Sequence, residues 1–305
     1  MVIDVHTHLG DILELNGCAL ITQEATYPNG FFLTIDDMMG YRRSFLTGFL
    51  YKILGKRITL EERRRNYAAT LTNARAMLDQ TAAWDKLHGG KGESRAYIQP
   101  IAPYVTWQGL QEFLAVEPRL RAFGSPDFTL SQEDMVADLQ TQAGAYGLKI
   151  HPIIQNIAFD NPAVFAALEQ WQSIAPGKPV LFHSGTSKYY MDEQRNCPER
   201  SDSEAAKRVF AAFPKIPIIL GHAGLFELEE WGKLATAFDN IYADGSFQGP
   251  TQWKVMLNIY GENRLLYASD WPYGKATTAQ KSLSAAFSGD LLERILWRNA
   301  ADLGL

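Results

Sequence analysis

The chain has 305 residues, 46% of them hydrophobic and 21% charged, which is ordinary for a soluble globular protein and sufficient for a large buried core. Its formal net charge of −5 excludes the basic excess that a nucleic-acid-binding protein usually carries. Two cysteines make no disulfide framework, the N-terminus lacks a signal-peptide pattern, and no apolar run approaches the length of a membrane span. We therefore expect a cytoplasmic protein that binds neither nucleic acid nor membrane.

Short apolar segments alternate along the chain with helix-like segments. Eight short segments are rich in β-branched or aromatic residues and bounded by Gly, Pro, Asp or Asn, which predicts strands at 2–8, 95–101, 119–125, 146–151, 178–183, 215–222, 239–246 and 264–270. Helical patterns lie between them at 107–116, 131–144, 161–174, 202–213, 226–238 and 250–260. This alternation predicts parallel strands with helical crossovers, and eight units predict an α/β fold closed into a (β/α)8 TIM barrel, a single domain spanning 1–305.

The alternation is interrupted once, after the first predicted strand. Residues 9–58 are irregular and rich in glycine and aromatic residues, and 59–87 has a long helical pattern. Because the loop after a barrel strand opens onto the active-site face, we predict that 9–66 forms an inserted lid or pocket wall. The apolar stretch 44–55 within it indicates a docked helix or a homodimer contact rather than a membrane-surface helix.

Five of the six histidines fall at the ends of predicted strands: His6, His8, His151, His183 and His222. Side chains two residues apart on a strand point the same way, so His6 and His8 should point together, and we expect them to face the barrel interior. Asp270 ends the eighth predicted strand, which neighbours the first strand in a closed barrel. These residues should therefore meet around the open end of the barrel.

The predicted cluster has the composition of a catalytic metal site. His6 and His8, with His183 from across the barrel and Asp270, supply three nitrogens and one oxygen and leave room for a water molecule. Such a set suits Zn²⁺, our first expectation, and also Mn²⁺ or Fe²⁺. A single histidine at a strand end is more often a satisfied core residue, but packing does not explain this whole constellation in barrel order.

Several segments resemble motifs of the amidohydrolase superfamily. VIDVHTHLG, VLFHSG, ILGHAG and YASDWP resemble its first, fifth, sixth and eighth strands, GLKIHP its fourth, and RNAADLGL its C-terminal end. The resemblance is strongest to the amidohydrolase-related (amidohydrolase 2) group that includes aminocarboxymuconate-semialdehyde decarboxylase and its lactonase and decarboxylase relatives. It extends over almost the whole chain, and the insert is its weakest part.

This resemblance implies roles for individual residues. His6, His8, His183 and Asp270 match the ligands of the main metal ion, and His222 matches a histidine that assists catalysis or joins a second metal.

Lys149 matches a position that in some members of the superfamily is a carbamylated lysine bridging two metal ions. Burial near cations lowers the pKa of a lysine enough to permit that modification. Lys149 and His151 share one face of their strand, so either could instead hold a substrate carboxylate or phosphate. We expect one metal ion, because the related group mostly works with one.

We expect metal-dependent hydrolysis of a C–O or C–N bond in a small, anionic organic substrate. A metal ion lowers the pKa of bound water, Asp270 accepts the proton, and His222 or the metal polarises the carbonyl. Substrate contacts are predicted from His151 and from loop residues after the strands, among them Tyr104, Tyr189, Arg195 and Ser246.

Two other functions remain open at this point. The same metal site would serve a non-oxidative decarboxylase of a small carboxylated substrate, with His222 protonating the new carbanion. The barrel would alternatively be a non-catalytic metal-binding module, although no expected ligand is missing from the sequence.

Overall fold

The computed structural model describes residues 1–10, 12, 56–186 and 202–305. Several features named above lie outside these residues: the 44–55 stretch, Tyr189, Arg195 and both cysteines. The single domain spanning 1–305, with its insert at 9–66, therefore stays a prediction, and so does the homodimer.

Eight parallel strands occur in the predicted order: β1 (Val2–Thr7), β2 (Ser94–Ile98), β3 (Leu120–Ala122), β4 (Leu148–Ile150), β5 (Val180–His183), β6 (Ile218–Gly221), β7 (Ile241–Asp244) and β8 (Leu265–Leu266). Each strand from β1 to β3 and from β4 to β8 pairs with the next. Parallel bridges between Gly124 and Leu148 and between Thr7 and Trp271 join the two sheets on both sides. The sheet therefore closes into the predicted TIM barrel.

A helix follows each strand: α1 (Lys56–Leu87), α2 (Trp107–Leu114), α3 (Gln132–Gln140), α4 (Pro162–Ile174), α5 (Ser203–Ala212), α6 (Leu228–Ala237), α7 (Pro250–Tyr260) and α8 (Ala276–Ala286). The chain ends in α9 (Gly289–Glu293), a π-helical turn (Arg294–Arg298) and α10 (Asn299–Asp302). Side chains of Thr106, Ser131, Asn161 and Asp202 cap α2 to α5 by accepting a backbone N–H, which fixes where these helices begin. Among the described residues, no helix has both the length and the apolar character needed to cross a bilayer.

The barrel strands separate two apolar layers. Their outward side chains, such as Phe182 and Leu220, pack with Trp171 and Trp231 in a cluster between sheet and helices. Their inward side chains fill the barrel with Ile3, Val5, Tyr97, Phe123, Leu181, Ile219, Leu266 and Ala268. Polar inward residues follow at the carboxyl ends of the strands, so the barrel is a packed core that supports a polar site at one end.

A bulge in β1 turns His6 toward the interior. Asp4 pairs with Ala96 and Thr7 with Ile98, so β1 advances by three residues where β2 advances by two. Strict alternation from Ile3 and Val5, which face inward, would place His6 on the opposite face. Alternation predicted only that His6 and His8 point the same way, and the apolar Val2, Ile3 and Val5 favoured the interior. The structure turns His6 inward through this extra residue.

Seven of the eight strands end earlier than predicted, and two site residues lie just beyond strand ends. The predicted eighth strand, 264–270, contains only two strand residues, Leu265 and Leu266, and Asp270 beyond them adopts a φ of 55°. His222 follows β6 directly with a φ of 61°. A positive φ is energetically unfavourable for any residue other than glycine. Such strained residues are concentrated at functional sites, so these two positions are candidates for a functional role.

A close backbone contact joins the loops that carry His183 and His222. Gly185 has a φ of 84°, and a Cβ atom at this position would overlap the carbonyl group of Gly224. Only glycine fits where two backbones approach so closely.

We expect Gly185→Ala to destabilise the protein far more than Gly177→Ala does. Gly177 has a similar φ of 80°, but a Cβ atom at that position would have nothing within 4 Å. Gly177→Ala therefore measures only the free-energy cost of placing alanine at a positive φ. That penalty is about 1 kcal/mol, and the overlap at Gly185 should add at least about 2 kcal/mol. The free energy of unfolding from urea titration measures both, and equal losses would show that the contact between the loops is not tight.

Candidate metal centre

Three metal-ligating side chains converge at the carboxyl end of the barrel. The Nε2 atoms of His6 and His8 lie 3.3 Å and 3.0 Å from Oδ1 of Asp270. Their ligand atoms all lie within 4.8 Å of one another, and all three residues are buried. The backbone enforces this approach, because Asp270 N–H donates to the carbonyl of His6 and His8 N–H to that of Trp271.

The hydrogen bonds at Nδ1 determine which nitrogen of each ring carries a hydrogen. Nδ1 of His6 lies 2.8 Å from Oδ2 of Asp244, and Nδ1 of His8 lies 2.8 Å from the carbonyl oxygen of Gln99. A carbonyl or carboxylate oxygen only accepts, so both rings donate from Nδ1. Their Nε2 atoms therefore present lone pairs.

This arrangement fits a divalent cation. Two imidazole lone pairs face a carboxylate oxygen at about hydrogen-bond distance, and Oδ1 of Asp270 finds no hydrogen-bond donor among the described residues. Facing acceptors repel unless a cation lies between them, and two histidines with one carboxylate are ligands that zinc, manganese and iron accept. Burial lowers the pKa of His6 well below its usual value and raises that of Asp270, so neutral imidazole, the form that binds metal, predominates at neutral pH.

Lys149 lies inside the barrel beside this cluster, as predicted. Its Nζ atom is 3.1 Å from Nε2 of His6, and the side chain is fully buried. Burial lowers the pKa of Lys149 to about 8. The amino group donates to the lone pair that a metal ion would use, so metal binding at His6 requires this contact to open. Carbamylation, metal ligation and substrate binding by Lys149 stay predictions.

His183 and His151 form a separate pair. Their rings are stacked with centroids 3.9 Å apart and an interplanar angle of 10°. His183 does not belong to the three-residue group within the described part of the chain, so its role as a fourth ligand stays a prediction. Nδ1 of His151 accepts the N–H of Ile154 at 3.2 Å, which leaves the hydrogen of the neutral ring on Nε2.

His222 lies next to His6, with ring centroids 4.9 Å apart. Its backbone N–H donates to Asp244 and its Nδ1 lies 2.7 Å from Oγ of Ser246. Burial lowers the pKa of His222 well below its usual value. The structure therefore brings His222 to the cluster. Ser246 lies in the turn after β7 and contacts this ring through its hydroxyl, and its role as a substrate contact stays a prediction.

A small cleft adjoins the cluster. Its lining among the described residues consists of His6, His8, Ile12, His151, Ile154, His222, Asp270 and Tyr273. Tyr104 is not part of this lining and packs half-buried against the apolar cluster that contains Ile12 and Ile154. Its role as a substrate contact stays a prediction, as do those of Tyr189 and Arg195 outside the described residues.

The amidohydrolase family model matches residues 3–303, almost the entire chain. The chain belongs to the amidohydrolase family. This confirms the resemblance seen in the strand-end motifs and identifies the protein as a member of a family of enzymes. No curated protein matches the sequence.

Solved structures similar to this amidohydrolase share its fold at low sequence identity. An uncharacterised TIM-barrel protein from Bordetella bronchiseptica has a TM-score of 0.67 and 16% identity, with 99% of this chain and 97% of that chain covered. A dihydroxybenzoic acid decarboxylase from Polaromonas sp. JS666, with bound manganese and the inhibitor 2-nitroresorcinol, has a TM-score of 0.59 and 16% identity over 99% and 96%. A 5-carboxyvanillate decarboxylase from Sphingomonas paucimobilis has a TM-score of 0.55 and 15% identity over 99% and 98%.

Sequence reasoning missed two residues that orient the histidines of this amidohydrolase. Asp244 ends β7 and bonds His6, and Gln99 follows β2 and bonds His8 through its carbonyl. The Gln99 side chain also donates to the carbonyl of Val5 at 2.7 Å, at the bulge in β1. An aspartate at the end of a predicted strand was a usable signal for Asp244, but Gln99 acts through its backbone and leaves none.

We expect Asp244→Asn to weaken metal binding about 10- to 100-fold, the usual effect of removing a residue that orients a histidine ligand. The amide keeps one oxygen for the N–H groups of His222 and Ser246 and turns its NH2 toward Nδ1 of His6. His6 would then carry its hydrogen on Nε2, where the metal binds. Competition with a chelating dye measures the affinity.

Asp4→Asn is the matched control. Asp4 is also a buried carboxylate, and it accepts hydrogen bonds from Ser269 and from the backbone N–H of His6 but none from an imidazole ring. Its replacement should leave the metal affinity within about twofold of wild type, since no histidine tautomer depends on it. Equal affinity in both variants and the wild type would contradict the role assigned to Asp244.

Proposed function

We propose that this amidohydrolase is a metal-dependent, non-oxidative decarboxylase of a small hydroxylated aromatic carboxylate. The observation that carries the proposal is the convergence of His6, His8 and Asp270 on one point, with His222 lining the same cleft. The similar fold of two solved decarboxylases of aromatic acids supports this reaction over the hydrolysis expected from the sequence.

One metal ion is proposed, held by His6, His8 and Asp270, with His183 as the predicted fourth ligand. A second group, His6, His222 and Asp244, also brings its ligand atoms within 4.8 Å. That group shares His6 and is explained by hydrogen bonds, since His6 donates to Asp244 and the Nδ1 of His222 lies against Ser246. Zn²⁺ suits the ligands, and the decarboxylase from Polaromonas contains manganese, so both ions are candidates.

The protein would supply the proton that decarboxylation needs. A metal ion held by His6, His8 and Asp270 would supply positive charge for binding the oxygen atoms of the substrate. Because burial lowers the pKa of His222, its protonated form is scarce but strongly acidic, and that form donates from Nε2 to the ring carbon that carries the carboxylate. The C–H bond forms, the C–C bond breaks, its electron pair returns to the ring, and carbon dioxide leaves. Solvent then returns a proton to His222.

Hydrolysis is the second candidate, and the family itself favours it because amidohydrolases are named for that reaction. The same residues would serve, with His222 or Asp270 taking a proton from water. Decarboxylation requires only one proton transfer at the cleft. Product analysis separates the two reactions, because only decarboxylation releases carbon dioxide and only hydrolysis incorporates oxygen from ¹⁸O-labelled water.

We expect the enzyme loaded with Zn²⁺ or Mn²⁺ to release carbon dioxide from at least one of a panel of hydroxybenzoates. In D2O the vacated ring carbon should acquire deuterium. Chelation should abolish the activity, and the metal should restore it. Incorporation of ¹⁸O into the products of ester or lactone substrates, without carbon dioxide release from any carboxylate, would instead establish hydrolysis.

We expect His222→Gln to lower kcat by about 100-fold or more, since a positioned acid contributes at least that much. Bound metal per chain should not change, because His222 is not among the proposed ligands. His88→Gln is the control, since His88 stacks on Trp84 and is absent from the cleft lining. Near-normal turnover by His222→Gln would exclude this histidine as the proton donor.

A further inference from the structure

The buried carboxylate of Asp244 lies between two histidines of the site. Its Oδ2 accepts Nδ1–H of His6 at 2.8 Å. Its Oδ1 accepts the backbone N–H groups of His222 at 3.0 Å and Ser246 at 3.1 Å, together with the hydroxyl of Ser246. Asp244 and Ser246 are both fully buried, so this network is sealed from solvent on the side away from the cleft.

The direction of each hydrogen bond follows from the number of hydrogens available. The Ser246 hydroxyl has one hydrogen, and its oxygen contacts both Oδ1 of Asp244 and, at 2.7 Å, Nδ1 of His222. If that hydrogen pointed at His222, the hydroxyl and the carboxylate would be two acceptors in close contact. The hydroxyl therefore donates to Asp244 and accepts from Nδ1–H of His222.

We propose that Ser246 is a positioning residue that fixes the tautomer and orientation of His222, a role that rests on the decarboxylase function proposed above. With Nδ1 bound to Ser246, Nε2 is the nitrogen left to exchange a proton with the substrate. The hydrogen bonds that run from Asp244 through Ser246 to His222 keep a hydrogen on Nδ1 of this ring throughout the reaction. Ser246 is not a nucleophile, because its hydroxyl donates a hydrogen bond to a carboxylate and its side chain is buried.

The network also separates metal binding from proton transfer. His6 contacts Asp244 directly, whereas His222 reaches it through Ser246. Loss of the serine hydroxyl removes the support of His222 and leaves the bond between His6 and Asp244 in place. The consequences of Ser246→Ala should therefore fall on His222 alone.

The first test is independent of catalysis. Nitrogen-15 NMR of the imidazole rings, with the signals of His222 assigned from His222→Gln, should show the hydrogen on Nδ1 in the wild type. In Ser246→Ala the ring should become a mixture of tautomers, and Ser246→Thr, which keeps a hydroxyl, should restore the wild-type pattern. A wild-type ring with its hydrogen on Nε2 would overturn the proposal.

The second test is kinetic. Ser246→Ala should lower kcat about 10- to 100-fold while KM and metal affinity stay within about threefold, because the substrate and metal contacts are unchanged. Ser246→Thr should recover most of the lost kcat. Ser94→Ala is the matched control and should keep the wild-type kcat, since Ser94 is a buried serine at the start of β2, away from the site, whose hydroxyl donates to the carbonyl of Leu78.

These readouts distinguish failure of this proposal from failure of the proposed function. If the wild type releases carbon dioxide and Ser246→Ala has unchanged kcat, the role of Ser246 is wrong and the decarboxylase function stands. If the wild type hydrolyses its substrate instead, the decarboxylase function is wrong, and the tautomer of His222 still decides the role of Ser246. A parallel loss of metal from Ser246→Ala would also overturn the proposal.

Discussion

Hydrogen bonds at the Nδ1 atoms of His6, His8 and His222 govern what this site can bind. Each ring has one nitrogen engaged by a buried acceptor, and so each offers the other nitrogen to the cleft. For His6 and His8 the offered lone pairs meet the carboxylate of Asp270, and only a cation accommodates all three. The offered nitrogen of His222 does not belong to that group, and the proposed proton transfer uses it.

The backbone around the site is held in costly conformations that serve this arrangement. The bulge in β1 turns His6 inward, and His222 and Asp270, which both line the cleft, have positive φ angles. Each strained residue costs of order 1 to 3 kcal/mol, which the apolar core of the barrel offsets. The contact between Gly185 and Gly224 keeps the two loops in place. The stability of the core thus holds ligand atoms within reach of one another.

Lys149 adds a charge that the proposed chemistry must accommodate. A buried amino group beside His6 competes with a cation for one lone pair, yet it also adds positive charge where a carboxylate substrate would lie. Decarboxylation and hydrolysis both benefit from such a group, so its presence does not separate them. The two reactions differ in what is protonated, carbon or a leaving heteroatom, and that depends on the substrate rather than on the ligands.

The sequence by itself determined the order of strands and helices, because hydrophobic period and turn residues are local properties. It also placed His6, His8, Lys149, His222 and Asp270 at one end of the barrel, because parallel strands in a closed sheet bring their carboxyl ends together. The strand ends were less well predicted, since the positive φ of Asp270 has no counterpart in the apolar pattern of 264–270.

Only the tertiary structure decided how these residues are used. The bulge that turns His6 inward depends on pairing with a strand about ninety residues away in the chain. The tautomers of His6 and His8 depend on Asp244 and on the backbone carbonyl of Gln99, and the stacking of His183 on His151 joins two different strands. Hydrogen positions and ring directions are set by contacts between distant segments, and these contacts exist only once the barrel has closed.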